Sequence, residues 1–158
     1  MADQIRLGLI SDTHGRVAAA ALAALSEADL ILHAGDIGSL QVILDLEAVA
    51  PLEAVLGNCD HCDYGRGLER AWRAKLAGVP LLLCHRPEDI PGLLGSDPAR
   101  ALPRLVVHGH THRPRQQSQG GVLYLNPGSA SRPRGGGPGV MLVELGAGQV
   151  KGVERVTW

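Results

Sequence analysis

Six short clusters carry most of the metal-capable side chains, and each begins where an apolar run ends. They are Asp12-Thr13-His14, Gly35-Asp36, Gly57-Asn58-Cys59-Asp60, Cys84-His85, Gly109-His110-Thr111-His112 and Asn126-Pro127-Gly128-Ser129. Carboxylate, imidazole and amide oxygen together suit borderline-hard divalent ions such as Mn²⁺, Fe²⁺, Zn²⁺ or Ni²⁺, and the near absence of thiolates disfavours a structural zinc knot. In extended chain, residues i and i+2 point to the same side, so Asp12 with His14, and His110 with His112, can each address one location. Glycines beside these residues let the loops turn sharply and let backbone approach a ligand. Asp12, His14, Asp36, Asn58, His85, His110 and His112 are too many ligands for one tetrahedral ion. Two ions roughly 3.5–4 Å apart, bridged by one carboxylate and a hydroxide, would use them all.

The apolar runs that deliver these clusters read as strands. Ile5 to Ile10, Leu30 to Ala34 and Leu52 to Leu56 are short and apolar, with an Ala/Leu-rich helix from Val17 to Ala28 and a second helix from about Ser39, an N-cap, to Val49 between them. Strand, helix, strand, helix, strand predicts a parallel sheet with helical crossovers, whose ligands lie beyond the carboxyl ends of the strands. Trp72 to Leu76 and Val79 to Cys84, joined at Ala77-Gly78, predict a hairpin. Arg86 to Pro103 holds four prolines and leaves room only for a short helix before a strand at Arg104 to Val107. Val122 to Leu125, Val140 to Glu144 and Val150 to Val156 complete an all-strand end. The sum is an α/β domain with two sheets or one large mixed sheet.

At 158 residues, 45% hydrophobic and 20% charged, the chain has the size and composition of a single globular domain spanning residues 1–158. No stretch reaches the eighteen or more apolar residues of a membrane span. Met1-Ala2-Asp3-Gln4 runs straight into the first apolar segment without the features of an export leader. A net charge of −1 argues against a general nucleic-acid coat. Three cysteines, an odd number, make no disulfide framework and fit reduced thiols in a cytoplasm. A homo-oligomer is left open.

The ordered motif set resembles the calcineurin-like metallophosphoesterase superfamily over nearly the whole chain, and most closely its small bacterial and archaeal phosphodiesterase branch. Asn126-Pro127-Gly128-Ser129 followed by Arg132-Pro133-Arg134-Gly135-Gly136 resembles that branch specifically. The resemblance implies a four-layer fold, a two-sheet β-sandwich flanked by helices. It implies that Asp12, His14 and His112 hold a first metal, that Asn58, His85 and His110 hold a second, and that Asp36 bridges. It further implies two divalent ions, with manganese preferred, a small phosphate-ester substrate that Asn58 also contacts, and in-line attack on phosphorus by a metal-bridging hydroxide.

Two positions depart from that pattern. Where the wider family has a His after the motif Asn, this chain has Cys59, a weak hydrogen-bond donor whose ordinary pKa near ~8.5 makes it a poor acid for an alkoxide. Aryl phosphodiesters should therefore turn over better than alkyl ones, with Asp60 or His61 as substitute proton donors. After His85 the family usually has Gly; here Arg86 cannot copy a glycine-only conformation without cost, although its guanidinium could bind a substrate phosphate.

Blander roles are assigned elsewhere. His33 and His108 pack behind the ligands rather than ligate. Cys59-Asp60-His61-Cys62 has C-x-x-C spacing but lacks a second pair, Ser129 lacks a nucleophile elbow, and Gly135-Gly136-Gly137 lacks the rest of a P-loop. Arg113, Arg115, Arg132 and Arg134 are either steering charges or solvated loop residues. The competing functions are a protein-interaction scaffold on the same fold, as in the retromer subunit, and a phosphomonoesterase or nucleotidase. Seven competent ligands favour the enzyme.

Overall fold

The computed structural model describes residues 3–95 and 99–158; Met1 and Ala2, part of the segment read as lacking an export leader, lie outside them. The first half alternates as its apolar runs dictate: β1 (Gln4–Ile10), α1 (Ala19–Ala24), β2 (Leu30–His33), α2 (Leu40–Glu47) and β3 (Leu52–Ala54). Ser39 caps α2, its side chain accepting the Val42 N–H. Helix α1 is shorter than the expected Val17 to Ala28, because Ala18 at its start offers no side-chain cap and the chain turns after Ala24. Then come β4 (Ala71–Leu76), β5 (Val79–Cys84), a 3-10 turn (Pro87–Asp89), α3 (Ile90–Leu94), β6 (Leu105–Val107), β7 (Arg115–Gln119), β8 (Val122–Asn126), β9 (Gly139–Gly146) and β10 (Gln149–Thr157).

Two five-stranded mixed sheets result, ordered β10-β9-β1-β2-β3 and β4-β5-β6-β8-β7. Strands β1, β2 and β3 are mutually parallel, as are β5, β6 and β8. The expected hairpin is present, with Ala77 and Gly78 both at positive φ in its turn. Strand β7 carries no apolar alternation to betray it: its sequence is Arg-Gln-Gln-Ser-Gln, lying along an edge and paired with β8.

Side-chain alternation builds the layers. Leu7, Leu9, Leu32, Met141 and Val143 of one sheet meet Leu81, Leu83, Leu105, Val107 and Leu125 of the other in a shared apolar layer. The opposite face of the first sheet, including Ile31 and Leu142, is covered by Ala21, Val42, Ile43 and Leu46 of the helices. Leu82, Cys84 and Val106 on the far face of the second sheet meet Ile90 and Leu93 of α3. Helix, sheet, sheet, helix is the four-layer sandwich implied by the resemblance. Among the described residues no helix is long and apolar enough to cross a membrane.

Candidate metal centre

All six parallel strands end at one rim of the sandwich, and the polar clusters follow them there. The loops do not stay extended as expected: Asp12 (φ 53°), His14 (47°), Asp36 (55°), His110 (73°) and His112 (59°) all have left-handed backbone. Such conformations cost a non-glycine residue about 1–2 kcal/mol each, so the surroundings must enforce them. The expected convergence of Asp12 with His14 and of His110 with His112 therefore has a different cause: kinked loops rather than strand alternation. The loops also hold one another. Asp12 N–H donates to the Gly35 carbonyl and His14 N–H to the Asp36 carbonyl, both at 3.0 Å. Ser129 and Ser131 hydroxyls donate to the Asp12 carbonyl at 2.7 and 3.1 Å. Glycine is needed where loops touch: a Cβ on Gly57 would lie 2.1 Å from Asp36 Oδ1, and one on Gly109 1.9 Å from Ser11 Oγ.

One ligand atom each from Asp12, His14, Asp36 and His112 lies within 4.8 Å of the others. His14 Nε2 and His112 Nε2 are 3.3 Å apart, and Asp12 Oδ1 is 3.3 Å from His112 Nε2. Across from them, Asn58 Oδ1 is 2.9 Å from both His85 Nε2 and His110 Nδ1. Asp36 stands between the two sets, with Oδ2 3.8 Å from His14 Nε2 and 3.4 Å from His85 Nε2, while its Oδ1 accepts the Cys59 N–H at 2.8 Å.

Ring nitrogens are aimed by backbone. His85 Nδ1 donates to the Ala34 carbonyl and His112 Nδ1 to the Arg132 carbonyl, each at 2.7 Å, which leaves both Nε2 atoms facing the cluster. Neutral His85 would then set a lone pair against the Asn58 carbonyl oxygen. Asp12 Oδ1 is buried with no hydrogen-bond partner among the described residues. A cation is what such a set of acceptors lacks, and carboxylate, imidazole and amide oxygen form a donor set suited to divalent ions. These residues fit metal binding. The charge balance agrees: burial opposes ionisation of Asp36, yet His85 and the Cys59 N–H hold its carboxyl well below the usual range. Burial likewise opposes a proton on His85, but Asp36, Asp12 and the Ala34 carbonyl outweigh it and raise its pKa. His14 is pushed down by burial, against the pull of Asp36 and Asp12 and with help from His112 and Arg132.

Residues 5–148 match the model of the calcineurin-like phosphoesterase superfamily domain. The chain belongs to that superfamily. It is 34% identical over 155 residues to a protein named probable metallophosphoesterase from Methanothermobacter thermautotrophicus, covering 88% of this chain and 85% of that one. It is similar to the phosphoesterase Yfce of Escherichia coli, at 25% identity and TM-score 0.67 over 95% of this chain and 98% of that one. It also shares its fold with zinc-complexed Vps29 of Entamoeba histolytica, at 22% identity and TM-score 0.74 over 96% and 98% of the two chains.

Against this superfamily frame, three expectations change. Asp60 does not stand free beside Cys59. It is buried, and its two oxygens accept from the Ile37, Gly38 and Gly57 N–H groups and from the Tyr64 hydroxyl, the last at 2.6 Å. These bonds make it a pin between the Asp36 and Asn58 loops. Arg86 has φ −94°, ordinary extended backbone, so the missing glycine strains nothing. Its guanidinium is paired with a neighbour: Nε and Nη2 both reach Glu88 Oε1, at 2.8 and 2.7 Å. Cys59 is exposed at the rim, and burial together with Asp36 raises its thiol pKa, so the thiol stays protonated.

The supporting histidines hold fixed tautomers. Thr13 Oγ1 donates to the Ile37 carbonyl, so it accepts from His33 Nε2 at 2.9 Å, while His33 Nδ1 accepts the Gly35 N–H. His108 donates through Nδ1 to the Gly109 carbonyl and accepts from Arg115 through Nε2. That contact, with Gln117 and the Tyr124 ring, occupies Arg115. Ser129 serves the turn, accepting the Ser131 and Arg132 N–H groups. The sequence concealed Tyr64, which bonds Asp60, and Glu88, which pairs with Arg86.

Proposed function

We propose that this chain hydrolyses phosphodiesters with two divalent ions, one held by Asp12, His14, Asp36 and His112 and the other by Asp36, Asn58, His85 and His110. The observation that carries the reading is the position of Asp36 Oδ2 between His14 and His85, beside a buried Asp12 oxygen without a partner. Ions bound there would supply an activated water and neutralise charge on the phosphoryl oxygens. The chain's own residues do the rest. Backbone carbonyls fix the His85 and His112 rings, Ser11 Oγ and the His110 N–H hold Asp12 Oδ2 at 2.6 and 3.1 Å, and the buried floor limits water. Asn58 and His110 at the exposed rim are placed to contact the substrate as it enters.

With Cys59 neutral and Asp60 committed to backbone, the exposed His61 is what remains of the expected proton donors, so aryl esters should be favoured over alkyl ones. Manganese is the ion we propose, on the oxygen and imidazole donor set. Three free thiols support a reducing, cytoplasmic setting, and the apolar layer shared by both sheets supports a single domain over residues 1–158. The test is metal content and hydrolysis of an aryl phosphodiester with and without Mn²⁺, in the native protein and in Asp36→Asn. Metal-dependent hydrolysis that the variant loses supports the reading; full activity in the variant removes the bridging role.

A further inference from the structure

We propose that the cavity between Arg16, Arg132 and Trp158 is a subsite for one ester arm of the substrate, selecting an arm that combines an aromatic ring with a negative charge of its own. The inference rests on the phosphodiesterase reading and names the substrate class that site takes.

The cavity has a volume of about 420 Å³, within the ordinary range for small-molecule sites, and His14 lies in its wall. A group bound there is thus continuous with the candidate metal centre. Its polar walls are cationic: neither the Arg16 nor the Arg132 guanidinium has a carboxylate partner among the described residues. Arg66 and Arg6, by contrast, are ion-paired to Glu47 and Glu27. One phosphodiester carries one negative charge, which the metal centre would already meet. Two further unpaired cations call for a second anion on the same molecule.

The remaining wall is flat and apolar. Trp158 is 38% exposed, an uncommon state for so large an apolar side chain, and it lines this cavity together with Ala18, Ala130 and Pro138. An indole lining a cavity beside small apolar side chains is a surface on which a planar ring would stack, covering the indole as it binds. The wall is anchored. Arg155 donates to the Pro127, Gly136 and Gly137 carbonyls at 3.0, 2.7 and 2.7 Å, immediately before Pro138. Ser131 Oγ donates to the Thr13 carbonyl at 2.9 Å, tying the two loops that face each other across the opening. A nucleoside bearing one esterified phosphate at the metal centre and a second, free phosphate at the arginines has the required chemistry.

The manganese-loaded protein should be compared on methyl p-nitrophenyl phosphate, thymidine 5′-(p-nitrophenyl phosphate) and the same ester with an added 3′-phosphate. The expected order of kcat/KM rises along that series, with a gain of about tenfold at each step. Arg16→Ala should remove most of the gain from the 3′-phosphate, and Trp158→Ala most of the gain from the nucleoside. Each is read as a ratio between substrates of the same variant. In parallel, thymidine 3′,5′-bisphosphate binding is measured by calorimetry, and Arg16→Ala should weaken it about tenfold. Equal ratios and equal binding in native protein and both variants overturn the subsite. Absence of hydrolysis of all three esters with intact, Arg16-dependent bisphosphate binding would instead overturn the phosphodiesterase reading and leave the subsite standing.

Discussion

The two sides of the candidate centre use similar residue types in different surroundings. Asp12, His14 and His112 sit on the buried side, where the Asp12 side chain is 0% exposed and His112 only 10%. Asn58 and His110 sit at the rim, His110 with a third of its side chain exposed and its Nε2 3.7 Å from the exposed Glu88. On the buried side Asp12 and His112 are held by neighbouring loops. At the rim, solvent and Glu88 can substitute in part. The contrast separates residues that create the site's charge balance from residues that adjust it.

The largest effect should follow from attacking that asymmetry directly. Asp12→Asn removes the buried charge and is expected to lower kcat/KM on an aryl phosphodiester by a factor on the order of 10³, the scale of preorganised electrostatic groups. Asn58→Ala at the rim should cost a factor of only about 10 to 100. Equal losses measured under saturating metal would erase the distinction. Asp60→Ala probes the pin beneath both sides. It strands the Ile37, Gly38 and Gly57 N–H groups, so chemical denaturation should show a loss of about 3 kcal/mol, with metal affinity falling as well. Asp60→Asn, which keeps one acceptor oxygen, should recover part of the loss.

The buried side also predicts a pH effect in the metal-free protein. Burial lowers the pKa of His33 to about 4, although Asp60 pulls the other way, and burial likewise lowers that of His108 to about 4. Below the unfolded value of 6.5 the unfolded chain takes up protons that the folded one refuses. Stability should thus be complete above pH 6.5 and fall as pH drops to about 4, by up to about 3 kcal/mol per histidine. His33→Gln should flatten that slope in a pH series of unfolding curves; an unchanged slope would show that His33 charges freely. The smallest effect belongs to the rim. Glu88→Gln releases Arg86 from its ion pair and should change KM for a diester by about threefold or less, as befits an exposed pair.

Strands were readable because alternation is local. Leu7 and Leu9 facing one way, with Leu81 and Leu83 facing them, follow from the pleat alone, whereas β7, without an apolar residue, left nothing to read. The candidate ligands were readable from residue types at strand ends, and four of them, Asp12, His14, Asp36 and His112, converge. Their supports were not: Asp60 looked like a reactive acid beside Cys59 and turned out to be the acceptor for the nearby Gly57 N–H and the distant Ile37 and Gly38 N–H groups. Arg86 looked like a substrate contact and is committed to Glu88.

What the amino-acid sequence determined by itself was the order of the strands and helices apart from β7, the seven candidate ligands and the family to which they belong, all properties carried by neighbours in the chain. Only the tertiary structure decided how those ligands meet. His14 and His112 are 98 residues apart yet approach to 3.3 Å, through left-handed kinks that none of these residues prefers alone. Such conformations persist because hydrogen bonds from other loops oppose their cost, and those bonds exist only once the two sheets have packed.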